Sequence, residues 1–199
     1  KTGQILAMVG SIDYFSNKID GKYNVTTALR QPGSSIKPLN YAVGIETGKI
    51  TAATVMDDSP TCFGQINQKN YCPTNYGGAY HGLQTVRMSL ANSFNIAAVK
   101  VLKLNGLETF VASASAMGLN TFKNASDYGL SLTLGGGEVT MADMMVAYGV
   151  LANMGTRQDL NPILKVEDKD GKILEEYKYE AGTRVMSRET GFIIQQILS

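Results

Sequence analysis

Ala28-Leu29-Arg30-Gln31-Pro32-Gly33-Ser34-Ser35-Ile36-Lys37-Pro38-Leu39-Asn40-Tyr41-Ala42-Val43-Gly44-Ile45 is a chain break that leads into a helix. Gln31-Pro32-Gly33 interrupts what precedes it, and the hydroxyls of Ser34 and Ser35 stand where a helix begins. Leu39, Ala42, Val43 and Ile45 then recur at helical spacing, and Pro38 fits that pattern only near the first turn. Three residues apart on a helix, the Ser34 hydroxyl and the Lys37 amine share one face. Their Cβ atoms would be roughly 5–6 Å apart, within reach of a hydrogen bond. A serine hydroxyl is a weak nucleophile until a base takes its proton, and a lysine can be that base if burial and neighbouring cations lower its pKa. The helix N-terminus also favours negative charge developing nearby. Ser-x-x-Lys is a short pattern, and an N-cap serine beside a solvated lysine fits the same letters.

Upstream, Gln4 to Gly10 reads as a short buried strand, and Tyr23 to Leu29 as a second strand with Val25 and Thr27 on one face. Downstream, Asp57 to Gly82 lacks periodicity and carries Gly77-Gly78, which predicts a long surface excursion of the kind that is commonly functional. Helical patterns follow at Thr85 to Ala91 and Asn95 to Leu104, broken by Asn92-Ser93-Phe94, and again at Leu107 to Met117, closed by Gly118. Thr140-Met141-Ala142-Asp143 has capping-box spacing and starts a Met-rich helix to about Met154, whose methionines read as core filler. Asp170-Gly171 between Ile163–Val166 and Ile173–Tyr177 predicts a hairpin. Ser187 opens a last helix, Glu189 to Leu198, that ends without a C-cap residue.

The composition narrows the function classes. With 199 residues the chain can bury a real core, and 18 Lys and Arg against 17 Asp and Glu leave a net charge of +1. No broad attraction to nucleic acid or anionic lipid follows from that balance. At 44% hydrophobic and 18% charged residues the chain should fold, yet its longest apolar runs, such as Ile5 to Val9, fall far short of a membrane span. Cys62 and Cys72, in a polar stretch, suit either a loop-closing disulfide of an oxidising compartment or two unlinked thiols. The single histidine, His81, leaves too few ligands for zinc.

Ser93-Phe94-Asn95 is a second candidate for chemistry. A serine between two helices could pass protons between a lysine and a leaving amine, and an asparagine two residues on could hold a substrate amide. Ser93 or Asn92 would equally serve as a helix N-cap.

Four segments in one order extend these short patterns. They are Gly3 to Gly10, Ala28 to Pro38, Ser89 to Lys100, and Leu134-Gly135-Gly136-Gly137-Glu138-Val139-Thr140. Together they closely resemble the transpeptidase domain of class A penicillin-binding proteins, over nearly the whole chain. The resemblance implies a mixed α/β (α+β) fold of the β-lactamase/transpeptidase kind: a central antiparallel sheet flanked by helices, with an all-helical part. It makes Ser34 the acylated nucleophile, Lys37 its base, Ser93 a proton relay and Asn95 the substrate-amide contact, with the Ser34 backbone N–H as an oxyanion donor. It implies a D,D-transpeptidase that cross-links peptidoglycan stem peptides ending in D-Ala-D-Ala and is acylated by β-lactams. Metal, organic cofactor and nucleic acid have no part in it. A penicillin-binding sensor or silent homologue, or a D,D-carboxypeptidase or serine β-lactamase, would share these motifs.

The family's third motif, Lys-Thr-Gly or a near variant, lies on a strand beyond the region that resembles Ser187 to Leu198. Lys1-Thr2-Gly3 has the letters but coincides with the lead-in to the first strand. The C-terminal strands are therefore expected outside this chain, as further residues or a second chain, with the sheet edge open and the isolated chain a poor catalyst. The implied location is the outer face of the bacterial cytoplasmic membrane, with the anchor outside these residues. Glu138, His81 and Arg30 read as structural residues rather than as catalytic base, general base and carboxylate anchor.

Overall fold

A computed structural model describes residues 2–66 and 69–199. Its centre is helix α1 (Lys37–Glu46), entered through a 3-10 turn over Gly33–Ile36. Pro38 falls in the first turn, where its missing N–H leaves no helical bond unmade. Every residue from Ile36 to Val43 is buried, which is unusual for a helix start that includes a lysine.

The chain then runs through strand β1 (Val55–Asp58), a small hairpin of β2 (Gln65–Ile66) and β3 (Lys69–Asn70), a 3-10 turn at Tyr76–Gly78, and strand β4 (Gly82–Thr85). β1 and β4 pair antiparallel, Val55 opposite Thr85 and Asp58 opposite Gly82, so the 57–82 excursion is pinned at its base. It is also cross-linked by a disulfide between Cys62 and Cys72. Alkylation of the native protein without reductant should leave its mass unchanged, and two added groups would show free thiols instead.

Four helices follow in the order read from the sequence: α2 (Val86–Ala91), α3 (Asn95–Asn105), α4 (Leu107–Ala116) and α5 (Met141–Ala152). Thr85 caps α2 by accepting from the Met88 N–H, and Thr140 caps α5 by accepting from Asp143 N–H at 2.9 Å. Of the α5 methionines only Met144 is in the core, whereas Met141 and Met145 are more than half exposed. After α5 come β5 (Thr156–Arg157), the hairpin β6 (Lys165–Glu167) and β7 (Ile173–Glu176) around Asp170-Gly171, β8 (Thr183–Arg184), and α6 (Arg188–Leu198) capped by Ser187.

α1 lies against α3, α4 and α6. Ile36, Leu39, Ala42 and Val43 pack with Ala97, Ala98, Val101, Phe110, Ala114 and Ile194 in one apolar cluster. A buried amide pair stitches α1 to α3: Asn40 Nδ2 donates to Ala98 O at 3.0 Å and to Thr133 Oγ1 at 2.9 Å, and Asn105 Nδ2 donates to Asn40 Oδ1 at 2.8 Å. These bonds satisfy Asn40 and the Asn105 NH2 group, leave Asn105 Oδ1 buried without a partner among the described residues, and fix the axial register of α1 on α3.

Two strand expectations fail. Gln4–Gly10 is not a buried strand: its one ladder contact is a bridge from Gln4 to Asn161, and Leu6 and Val9 are 92% and 73% exposed. An apolar strand is buried only when neighbours cover its faces, and among the described residues none flanks Ile5 to Val9. Tyr23–Leu29 is not a strand either. Asn24 Oδ1 accepts from the Thr26 N–H at 3.0 Å and hydroxyl at 2.7 Å, and the chain turns over Val25–Thr27, so a local side-chain bond replaces the ladder. Only Arg30 pairs, through an antiparallel bridge to Val139. The strands thus fall into four two-stranded antiparallel ladders, and the central sheet is not assembled from the described residues. Of Lys1-Thr2-Gly3, Lys1 lies outside the described residues, and the Gly3 carbonyl accepts from Asn161 N–H at 2.7 Å.

Candidate active site

Pro32 and Gly33 turn the chain so that Ser34 is exposed at the start of the 3-10 turn that feeds α1. Three contacts hold this turn. Ser35 Oγ donates to Pro32 O at 2.6 Å, Tyr148 Oη from α5 donates to Ser35 O at 2.8 Å, and Arg30 exchanges two backbone bonds with Val139. Gly135 forms the floor. Its φ is +90°, and a Cβ there would sit 2.2 Å from Gly33 N and 2.4 Å from Gly33 Cα. The left-handed backbone alone costs a non-glycine residue about 1–2 kcal/mol, and the overlap can be relieved only by displacing the residue beside Ser34. Gly135→Ala is therefore expected to lower the melting temperature by more than about 4 °C. Gly171→Ala, at φ +80° with nothing near its Cβ, bears the backbone strain alone and should lower the melting temperature by less.

The side chain of Lys37 runs inward and is 1% exposed. Its ammonium donates to Ser93 O at 2.6 Å, Ser93 Oγ at 3.0 Å and Asn95 Oδ1 at 2.6 Å. Three donors meet three acceptors, and none of the acceptors is a carboxylate. Burial without a compensating anion pushes the lysine down from 10.5 to about 8.

The 93–95 corner is shaped for this. Ser93 has a φ of +57°, a conformation that non-glycine residues adopt rarely, and both its carbonyl and its hydroxyl reach the same amine. Neither Ser93 nor Asn92 caps α3. The N-cap position is Phe94, and the first N–H groups of the helix are met from elsewhere: Asn75 Oδ1 accepts from Asn95 N–H at 2.7 Å and from Ile96 N–H at 3.4 Å. Asn95 Nδ2 donates to Thr74 O at 2.7 Å. The 57–82 excursion thus reaches the site, which the sequence left open.

Ser34, Ser93 and Asn95 line one cleft of about 650 Å³ with Thr74, Asn75 and Tyr76. One expectation is corrected. Ser34 Oγ makes no hydrogen bond among the described residues, so the Ser34–Lys37 bond that the spacing suggests is not formed in this state. The lysine has all three protons committed to the opposite wall. Ser34 and Lys37 are placed by the same turn, whereas Ser93 and Asn95 join them through tertiary packing.

The remaining tempting residues are structural in their contacts. Glu138 is exposed and precedes the bridge to Arg30, with its carbonyl accepting from Thr121 Oγ1 at 2.7 Å. The Arg30 guanidinium lies 5.3 Å from the centroid of Tyr23. His81 Nδ1 is 2.8 Å from the carboxylate of Asp58, and its ring stacks on Phe94 with centroids 4.0 Å apart. Sequence reasoning missed Asp58 and Asn75, and nothing in their flanking residues marks them.

An exposed serine on a turn, a buried lysine without an anionic partner and a Ser-Phe-Asn corner around one cleft invite comparison with known proteins. The family described as penicillin binding protein transpeptidase domain matches residues 1–199. The chain belongs to this family. Penicillin-binding protein 1A of Aquifex aeolicus is 35% identical over 88% of this chain, and penicillin-binding protein 2D of Bacillus subtilis is 35% identical over the whole of this chain. The chain spans 23% and 28% of those two relatives. Among solved structures, penicillin-binding protein 1A from Haemophilus influenzae superposes with a TM-score of 0.81 at 28% identity, covering 90% of this chain and 31% of that one. PonA1 from Mycobacterium tuberculosis in complex with penicillin V has a TM-score of 0.75 at 21% identity over 88% of this chain and 48% of that one, a likeness of fold. The fold is therefore that of the penicillin-binding transpeptidase domains, mixed α/β with short antiparallel strands. No described helix is long and apolar enough to cross a membrane.

Proposed function

We propose that this chain carries the nucleophile, base and proton relay of a peptidoglycan D,D-transpeptidase. The observation that carries the reading is the buried Lys37 amine, held by Ser93 and Asn95 without an anionic partner and next to the Ser34 turn.

Once Lys37 loses a proton, one of its three bonds is released and a lone pair can accept the Ser34 Oγ–H. With a pKa of about 8 rather than 10.5, the neutral amine amounts to about a tenth of the population at pH 7, an increase of about 300-fold. Ser34 Oγ then bonds to the carbonyl carbon of the penultimate D-Ala, and charge gathers on the carbonyl oxygen beside the Ser34 N–H, at a turn whose first N–H groups lack intrahelical acceptors. The C–N bond to the last D-Ala breaks as the Lys37 proton reaches the leaving nitrogen through Ser93 Oγ. An acceptor amine attacks the ester, returns a proton by the same route and frees Ser34. Asn95 Nδ2, at the cleft, would hold the stem-peptide amide. β-Lactams enter by the same attack, consistent with the penicillin V complex of PonA1.

The rest of the domain is the partner this reading calls for. It would supply the Lys-Thr-Gly motif and a second oxyanion donor, and its strands would cover Ile5 to Val9, now exposed. The site of action is the outer face of the cytoplasmic membrane. The test is to give the intact protein a peptide ending in D-Ala-D-Ala together with an amine acceptor. The expected product has the last D-Ala replaced by the acceptor. Release of D-Ala with water as the only acceptor would make it a carboxypeptidase, and no turnover despite acylation would make it a sensor.

A further inference from the structure

Asp58 is a completely buried carboxylate outside the set of groups used above. Its two oxygens accept from Asn75 Nδ2 at 2.9 and 2.7 Å, and Oδ2 also accepts from His81 N–H at 3.1 Å and faces His81 Nδ1 at 2.8 Å. A carboxylate only accepts, so it decides which way the Asn75 amide points. The NH2 group must face Asp58, where it also reaches Ala79 O at 3.0 Å, and Oδ1 must face α3. There it takes the N–H groups of Asn95 and Ile96, the two that Phe94 cannot cap. Asn95 in turn accepts from Lys37. His81 closes the arrangement by stacking, nearly parallel at 9°, on Phe94 between the two residues that hold the lysine.

We infer that Asp58, Asn75 and His81 are positioning residues for the Lys37–Ser93–Asn95 cluster. Asp58 orients the Asn75 amide, Asn75 caps α3 in trans and sets the place of Asn95, and His81 clamps the corner from outside. The excursion between β1 and β4 is thereby the outer wall of the active site, and the β1–β4 pairing that brings Asp58 and His81 together fixes the geometry of the base. None of the three touches the reacting atoms. The inference rests on the proposed acylation of Ser34, which the unsubstituted protein reports on separately.

The test is an exchange of partners in the intact protein, with benzylpenicillin as probe. The acylation rate constant and the dissociation constant of the initial complex are measured per acylatable molecule, so that misfolded protein does not enter. Asn75→Asp keeps the cap on α3 but sets two carboxylates face to face. It is expected to lower the rate constant at least about tenfold; because Asn75 lines the cleft and benzylpenicillin is an anion, the dissociation constant is measured only to keep weaker binding out of the rate constant. Adding Asp58→Asn removes the second negative charge and restores one donor between the two positions, with the amide oxygen at position 58 still facing His81; the carbonyl of Ala79, an exposed residue, has to turn away from the carboxylate at position 75 toward water. The double variant should return to within about threefold of the unsubstituted rate. A double variant as slow as Asn75→Asp, or an Asn75→Asp protein that acylates normally, would overturn the inference. If Asn75→Asp yields no folded protein, His81→Phe decides: it keeps the stack on Phe94, loses the bond to Asp58, and should slow acylation at least about threefold, whereas an unchanged rate rejects the network. Failure of the unsubstituted protein to acylate at Ser34 would remove the proposed function itself, and the inference with it.

Discussion

Lys37→Met should slow β-lactam acylation of the intact protein about 10²–10⁴-fold, the range that a positioned general base contributes. Methionine fills much of the same buried channel beneath Ser34, so the loss is of the base rather than of packing. The pH dependence makes the assignment specific. In the unsubstituted protein the acylation rate should rise with pH up to about 8, where the buried amine becomes neutral, and level off above it. In Lys37→Met that rise should vanish. A substituted protein that retains the inflection near pH 8 would move the base elsewhere.

The same shift bears on stability, with a sign set by its direction. The folded state holds Lys37 at about 8, below its ordinary 10.5, so between these values the unfolded chain binds more protons than the native one. Native stability should therefore gain from this group as pH rises from about 8 to 10.5, and the penalty of the buried ammonium is fully present below about 8. Lys37→Met removes that dependence. Comparing melting temperatures of the two proteins at pH 7 and pH 10 measures it: the difference should favour the methionine protein at pH 7 and narrow at pH 10. The three acceptors left without a donor work against this gain, and Ser93, being exposed, can pass its share to water.

The parts of this molecule that are legible in the sequence are those set by residues close together in the chain. Gln31-Pro32-Gly33 before a helical period places Ser34 and Lys37 on one turn, and Thr140, Ser187 and Asp170-Gly171 each set a local boundary through a cap or a turn. Strands are different, because the same apolar run is buried or exposed according to what lies beside it. Ile5 to Val9 reads as core and is exposed, and Tyr23 to Leu29 loses to a turn held by two local bonds to Asn24 Oδ1. The site shows the same division. Ser-x-x-Lys is local, and its weakness as a pattern is repaired by the family resemblance. Asp58, Asn75 and His81 are ordinary polar letters in an aperiodic stretch, joined only when β1 meets β4 and the excursion folds back onto α3. The direction of the Lys37 amine is likewise non-local. Helical spacing points it toward Ser34, and three acceptors more than fifty residues away in the chain hold it on the other wall.

Ser34→Ala has the largest expected effect, complete loss of covalent labelling, because no neighbouring hydroxyl is placed to substitute. Ser35 Oγ is bound to Pro32 O on the exposed side of the turn, and Ser93 Oγ is an acceptor for the very amine that would have to deprotonate it. Removal of one oxygen from an exposed side chain should leave folding intact, so the variant should melt within about 1–2 °C of the unsubstituted protein, as expected for a surface change worth no more than about 0.5 kcal/mol. The direct measurement is peptide mapping by mass spectrometry after the intact protein is treated with benzylpenicillin. One penicilloyl group on the peptide containing Ser34, absent in Ser34→Ala, is the predicted result; an adduct that persists in Ser34→Ala, or that maps to another residue, would contradict it.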